Sequence, residues 1–492
     1  MTHPPAHPVR SVVAVTLLLT GLLSRGAQAT SPMLVGEAGL GGRFRPGTWV
    51  PVTIELDAPS SASARALVVE LDGRRWRREL TASGPRRVEL AVLVDSAVDR
   101  LPVRLEDAAG AEIAHVDLPL APVDTERELW GAIADLGERW VVAPPGVEIV
   151  RQPAERFPAD GRSDDALDRL VVSPSRLTSW PRERLDGLRR WLWLGGTVAL
   201  SRTDEGSAVA SVAAVTAGCR ADDLGWKCGA GRVLAGPAPP QGRADRLERV
   251  TRAWLAGATV VPAAVGEQPA ISLLAAVWAA LLCLLPWPRR GARRIVLSLV
   301  AALVAGVVAG WTVGLLPQGR RLGLSELRVT HVFPGSPETF SVSVGRWRTT
   351  EPGRPLLASE LGDAVVTTRS AQTVLHLQRA DATATVAAPE LAQWAELRTL
   401  ASGWRAVDWR ESERQGIVRR APGDGLTCAE PTDAARATVD FGQGSLRAIL
   451  AANGIPVRAI CVDARAALTW RALHRRTSGR AVELVVVHAG GA

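Results

Sequence analysis

The sequence predicts a multidomain protein: an N-terminal β-sandwich, an α/β middle domain, a two-helix transmembrane hairpin and a C-terminal mainly-β domain. Three observations predict it. Short runs with period-two alternation of apolar and polar residues fill both ends of the chain. A strand–helix–Gly-Gly–strand unit lies between them. Two uncharged apolar segments of near-membrane length follow that unit. At 492 residues the chain has room for about three domains of roughly 150 residues each. With 47% hydrophobic and 22% charged residues it is too apolar to be mostly disordered.

Residues 1–29 have the form of a secretory signal. Arg10 supplies the basic start, Ser11 to Leu23 the apolar core, and Ala27-Gln28-Ala29 an A-x-A cleavage site. A retained N-terminal anchor is the alternative, but the apolar run is short for a span.

Residues 33–123 are expected to form an immunoglobulin-like sandwich. Trp49 to Leu56 alternates and is rich in β-branched residues. Ala66 to Leu71 meets Trp76 to Leu80 across Asp72-Gly73, a strong hairpin signal. Val88 to Val94, Pro102 to Glu106 and Glu112 to Leu118 continue the series at short intervals.

Residues 126–265 change character. Leu170-Val171-Val172 is a short buried-type strand, and Pro181 to Leu194 is helical, with Leu185, Leu188, Trp191 and Leu192 as its apolar stripe. Gly195-Gly196 ends the helix and Thr197 to Leu200 resumes as strand. Such a βαβ unit implies a parallel sheet with a right-handed crossover.

The hairpin is placed at 271–316, as Ile271 to Trp287 and Ile295 to Leu316. Arg289, Arg290, Arg293 and Arg294 lie between the segments and put the turn in the cytoplasm by the positive-inside rule. The expected location is thus the bacterial cytoplasmic (inner) membrane, with N- and C-terminal domains on the periplasmic or extracellular side. Ala302, Gly306, Gly310 and Gly314 form a small-residue ridge on the second segment. The ridge packs either on the first segment or on another membrane protein. Residues 322–492 return to short alternating strands, with one helix expected at Ser445 to Asn453 and a last strand at Val482 to His488.

Five cysteines fit an oxidising compartment. Cys219 and Cys228 bracket a short loop, Cys428 and Cys461 lie near the C-terminus, and Cys283 stands alone in the first apolar segment. Disulfides at the two pairs are the expectation, free buried thiols the alternative. None has C-x-x-C spacing, so zinc and thioredoxin-like chemistry are not indicated.

Gly39 to Leu56 (GLGGRFRPGTWVPVTIEL), Leu167 to Leu200 (LDRLVVSPSRLTSWPRERLDGLRRWLWLGGTVAL), Ala387 to Trp404 and the late hairpin together resemble a group of poorly characterised bacterial exported membrane proteins. The resemblance implies an immunoglobulin-like domain, a degenerate class I glutamine amidotransferase-like (flavodoxin-type) domain, transmembrane helices and a C-terminal β domain. It implies an inactive relative of the enzymes, and a gene neighbourhood with MoxR-type ATPases and von Willebrand factor A-type proteins.

The residues themselves point the same way on chemistry. A class I amidotransferase needs a cysteine on a strand-to-helix elbow with a histidine and a carboxylate beside it. Here the strand Leu170 to Val172 runs into Ser173-Pro174-Ser175, and no histidine occurs between Arg127 and Gln268. His3 and His7 belong to the signal segment, no two of the other histidines have i, i+3 or i+4 spacing, and neither G-x-S-x-G nor a Walker A loop is present. Ser163-Asp164-Asp165 with Asp168 is the one carboxylate cluster, read as a cation site or a solvated loop. Arg74-Arg75-Trp76-Arg77-Arg78 is the densest basic run. Alternate residues of a strand face opposite ways, so the run is not one cationic face.

No catalytic residue, cofactor or metal is therefore expected, and nucleic acid is not an expected partner. The net charge of +8 is carried by a basic set of 58 in which Lys227 is the single lysine, a compositional bias toward arginine. The function expected is that of a non-enzymatic, membrane-anchored envelope protein whose exported domains bind a partner protein or envelope component. The alternatives are an enzyme with a divergent site around Ser173 to Ser175 and Asp164/Asp165, and an envelope sensor acting through the hairpin.

Overall fold

A computed structural model describes residues 34–257 and 321–488. Within these it omits 57–63, 81–86, 134–142, 153–164, 202–211, 236–245, 367–375, 388–395, 407–417, 429–445 and gaps of one to three residues. The signal segment and the expected hairpin at 271–316 lie outside the described residues, with Arg289, Arg290, Arg293, Arg294, Ala302, Gly306, Gly310 and Gly314.

The expected fold class needs correction. Among the described residues the protein is mostly β, with strand at 58% and four helices. None of these helices is long and apolar enough to cross a membrane. The longest, Arg182–Trp193, has 12 residues, about 18 Å against a hydrocarbon core of about 30 Å. A two-helix hairpin is not shown, and an integral two-span membrane protein is not supported.

Nine strands come first: β1 (Leu34–Ala38), β2 (Arg43–Phe44), β3 (Thr48–Leu56), β4 (Ala66–Leu71), β5 (Arg74–Glu79), β6 (Arg87–Val94), β7 (Arg100–Glu106), β8 (Glu112–Pro119) and β9 (Ala121–Pro122). β1, β3 and β6 form one antiparallel sheet, and β5-β4-β7-β8 run antiparallel in another. Val52, Ile54, Leu67, Val69, Leu101 and Val103 are fully buried between them. The β4–β5 turn is tight, with Leu71 paired to Arg74 and Asp72 at a φ of 50°, a left-handed conformation that aspartate tolerates.

The middle unit holds β10 (Glu128–Ile133), β11 (Val147–Gln152), β12 (Arg169–Val172), α1 (Pro174–Ser179), α2 (Arg182–Trp193), β13 (Thr197–Leu200), β14 (Arg220–Asp222), β15 (Gly225–Cys228), β16 (Gly231–Leu234) and α3 (Leu247–Gly257). Its sheet runs β11-β10-β12-β13-β16-β15-β14. β11, β10, β12, β13 and β16 are mutually parallel, in the order second-first-third-fourth-fifth, and β15 and β14 complete an antiparallel edge. That order is the flavodoxin-like one. Pro181 caps α2, whose Leu188, Trp191 and Leu192 are buried under the sheet. Gly196 then passes so close to Trp191 that an added Cβ would lie 2.3 Å from its ring, and only glycine fits.

The last part holds β17 (Arg321–Val332), β18 (Glu338–Thr349), β19 (Leu356–Ser359), β20 (Asp363–Val366), β21 (His376–Ala380), β22 (Thr383–Ala387), β23 (Glu396–Ala406), β24 (Val418–Ala421), β25 (Gly425–Cys428), helix α4 (446–452), β26 (Val457–Ala466), β27 (Trp470–Ala472) and β28 (Arg476–His488). One sheet runs β20-β23-β18-β17-β28-β26.

The sandwich is not self-contained. Its β5 pairs in parallel with β21, so β27-β19-β22-β21-β5-β4-β7-β8 is one continuous sheet. The core follows the sheet: Leu322, Trp347, Leu357 and Trp470 bury in the same cluster as Trp49 and Trp76. β5 would otherwise present unpaired backbone groups along one edge. The C-terminal strands supply the missing partner, which is why the N-terminal and C-terminal parts fold on each other.

Candidate functional site

In sheets of the middle unit's order, ligands bind beyond the carboxyl ends of the strands where the order reverses. Here that point lies between β10 and β12. β12 ends at Val172 and Ser173 follows as the N-cap of α1, with extended backbone and no side-chain capping bond. Its Oγ lies 2.6 Å from Ser175 Oγ, and the pair faces outward. The chain thus places two hydroxyls at the position where an elbow nucleophile would stand. The middle domain has no histidine to serve as their base.

The carboxylates nearby are committed to structure. Asp168 receives the N–H of Leu129 at 2.7 Å and pairs with Arg45, which is 2% exposed. The same guanidinium donates to the carbonyls of Ala166 at 3.2 Å, Asp124 at 3.2 Å and Arg127 at 2.6 Å. Arg45 lies between β2 and β3 and reaches from the N-terminal sandwich into the middle unit. Asp165 is buried with Arg249 of α3 at 4.0 Å. Asp164 and Ser163 lie outside the described residues. Among the described residues, no three of His, Cys, Asp and Glu group closely enough to hold a metal ion.

The basic run on β5 is also spoken for. Arg74 pairs with Asp95 at 2.6 Å, Arg75 with Glu106, Arg77 with Glu79 at 3.2 Å, and Arg78 donates to the Glu89 carbonyl. Trp76 between them is buried. Alternation on the strand and four separate acceptors leave no continuous cationic face for a polyanion.

The histidines take an unforeseen place. His331 is the penultimate residue of β17 and His488 the last of β28, parallel neighbours in one sheet. Both are fully buried, with His331 Nδ1 3.0 Å from His488 Nε2 and Thr251 Oγ1 of α3 2.9 Å from His331 Nε2. Phe333 stacks on His488 at 4.6 Å between ring centroids. Burial holds His331 well below its ordinary pKa, and the His488 beside it lowers it further. Burial lowers His488 to about 4, opposed by the Pro456 carbonyl, which does not reach hydrogen-bond geometry with the ring. Both rings are neutral at pH 7, one a donor and one an acceptor.

Sequence reasoning missed Glu248. This α3 carboxylate is 3% exposed, and one oxygen accepts from the indole N–H of Trp49 on β3 at 3.1 Å and from Ser402 Oγ on β23 at 2.9 Å. One side chain therefore ties all three parts together. Nearby, Arg252 donates to the Gly47 carbonyl at 2.5 Å, and Arg190 of α2 makes a two-pronged bond to Glu338 of β18 at 2.7 and 2.8 Å. The one signal in the sequence was an acidic residue on the apolar side of a short helix.

Cys219 and Cys228 form a disulfide across the β14–β15 hairpin. Cys461 of β26 is also disulfide-bonded. Cys428, its expected partner, ends β25, which packs beside β26. No protein-family model matches the chain, and comparison with curated proteins gives no match.

Proposed function

We propose that the chain is a non-enzymatic, exported protein of the cell envelope that binds a partner protein or envelope component. The observation that carries this reading is the employment of its reactive groups. Asp168 and Glu248 are bound to Arg45, Trp49 and Ser402, Asp165 is buried 4.0 Å from Arg249, and the two histidines of β17 and β28 are bound to each other, with Thr251 on His331. Groups so engaged weld three parts into one surface and are not free to move protons. The signal segment and the disulfides support export. The flavodoxin-like strand order supports kinship with the amidotransferase-like fold in an inactive form.

A divergent hydrolase is the second reading, favoured by one observation: the outward-facing Ser173/Ser175 pair at the switch point. Ester and glutamine hydrolysis by the full chain, with labelling by a fluorophosphonate, separates the two. No turnover and no label at Ser173 are expected. Turnover that disappears in Ser173→Ala overturns the non-enzymatic reading. Tagged full chain isolated from envelope extracts should carry a partner in fixed stoichiometry.

A further inference from the structure

The His331–His488 pair sits where the middle unit rests on the C-terminal sheet. Thr251 reaches it from α3, Phe340 of β18 stacks on His331, Phe333 stacks on His488, and Trp404 of β23 packs against Phe333. Leu247, Val250 and Leu255 of α3 bury in one cluster with Phe340, Leu484 and Val486 of the sheet. The pair is thus sealed inside the seam between α3 and the ends of β17 and β28.

The contacts limit how many protons the pair can hold. The ring-to-ring contact, His331 Nδ1 to His488 Nε2 at 3.0 Å, has room for one hydrogen, whichever ring donates it. His331 Nε2 faces Thr251 Oγ1 at 2.9 Å, a hydroxyl that can accept or donate. His488 Nδ1 has no hydrogen-bond partner among the described residues, and the Pro456 carbonyl favours a proton on that ring. The neutral pair carries two ring hydrogens, so a first added proton finds an outer nitrogen to occupy. A second has only the shared contact left, where it sets two N–H groups and two like charges face to face. No neighbouring charge relieves this. Glu248 of α3 is held by Trp49 and Ser402, Arg252 by the Gly47 carbonyl, and Glu338, on the same face of β18 as Phe340, by Arg190 of α2. Arg249 of α3 lies 4.0 Å from Asp165, and Arg328 and Glu483 pair on the opposite face of β17 and β28. Arg405 beside Trp404 is held by Glu360, and on β26 the residue opposite His488 is Val457.

We infer that the pair is an acid-operated latch: taking up its second proton parts α3 from the C-terminal sheet while the sheets stay folded. The strands themselves do not separate, because β17 and β28 are paired without a break from Arg321 and Arg476 to Val332 and Val487. α3 is held here by side chains, so it is the element that can lift and let water reach the charged rings. The latch stands on the geometry of the seam and does not rest on partner binding.

The test is hydrogen–deuterium exchange of the full chain, read by mass spectrometry at pH 7.5 and pH 4.5 and corrected for the intrinsic exchange rate at each. Opening exposes rings that titrate near their ordinary value of about 6.5, so acid favours the open form. Peptides of α3 should lose protection by more than about tenfold at pH 4.5 and regain it on return to pH 7.5, while β3, β6, β12 and β13 keep theirs. His488→Gln leaves one ring and no second proton, and should hold the exchange of α3 nearly level between the two pH values. His331→Phe, which suits the surrounding rings, serves the same purpose should His488→Gln not fold. Unchanged exchange at α3 in the wild-type chain, a loss spread evenly over all three parts, or a full acid response in either folded variant overturns the proposal.

Discussion

The middle unit meets its two neighbours through opposite chemistry. Toward the N-terminal strands the junction is ionic: buried Arg45 reaches across to Asp168 and three carbonyls. Toward the C-terminal strands the buried contacts described are hydrogen bonds and stacked rings: two neutral imidazoles, a threonine hydroxyl and the Glu248 carboxylate on Ser402, with the Arg190–Glu338 pair at the half-exposed rim. A buried ion pair is weak evidence for net stability, because desolvation offsets attraction, but breaking it is costly. A buried neutral histidine pair is tolerant at neutral pH and costly in acid. The two junctions should therefore fail under different conditions.

Removing the ionic side should have the largest effect. Arg45→Met leaves Asp168 without its cation and three carbonyls without their donor, an expected loss of about 3–5 kcal/mol. Urea denaturation measures it. Arg45→Met with Asp168→Asn should be less destabilised than Arg45→Met alone. A double variant that is simply the sum of its parts would show that the pair is not coupled.

Acid should break the other side. The folded His488 has a pKa of about 4 against about 6.5 when unfolded, so below pH 6.5 the unfolded chain binds the extra proton. Stability falls as pH drops from about 6.5 and the loss from this group levels off near pH 4, at about 3 kcal/mol. His331, also depressed, adds to the same limb. His488→Gln should flatten it in denaturation series between pH 7.5 and pH 4.5, and an unchanged acid slope would remove the pair from the account. Arg45→Met should leave that slope intact.

Smaller effects sharpen the picture. Cys219 and Cys228 are nine residues apart, and reducing their bridge should cost about 2–3 kcal/mol by loss of loop constraint. This loss lies within the β14–β15 edge and should leave the acid response unchanged. Trp49→Phe removes one donor from Glu248 and should cost about 1–2 kcal/mol, read as a lowered melting temperature. Because Glu248 touches both neighbours, Ser402→Ala should couple with it in a double-mutant cycle.

Much of the local structure was legible in advance for local reasons. Asp72-Gly73 marks the β4–β5 hairpin, Pro181 opens α2 and Gly195-Gly196 ends it, each read from residues a few positions apart. The bridge between Cys219 and Cys228 was legible from spacing and export. The candidate site was less so. Asp168 was noticed as a carboxylate, but its partner Arg45 lies 123 residues away in sequence. The outward Ser173 was legible as an elbow position from the strand before it. The histidines had no helical spacing because their strands, not a helix, bring them together.

By itself the sequence determined the alternation of the strands, the turns, the βαβ unit and which residues turn away from water. Those depend on periods of two and 3.6 and on the backbone freedom of single residues. Only the tertiary structure decided that β5 is continued by β21, that Glu248 binds Trp49 and Ser402, and that His331 meets His488. Alternation marks a face as buried without saying what covers it. A strand edge is likewise open to any partner until the whole core selects one.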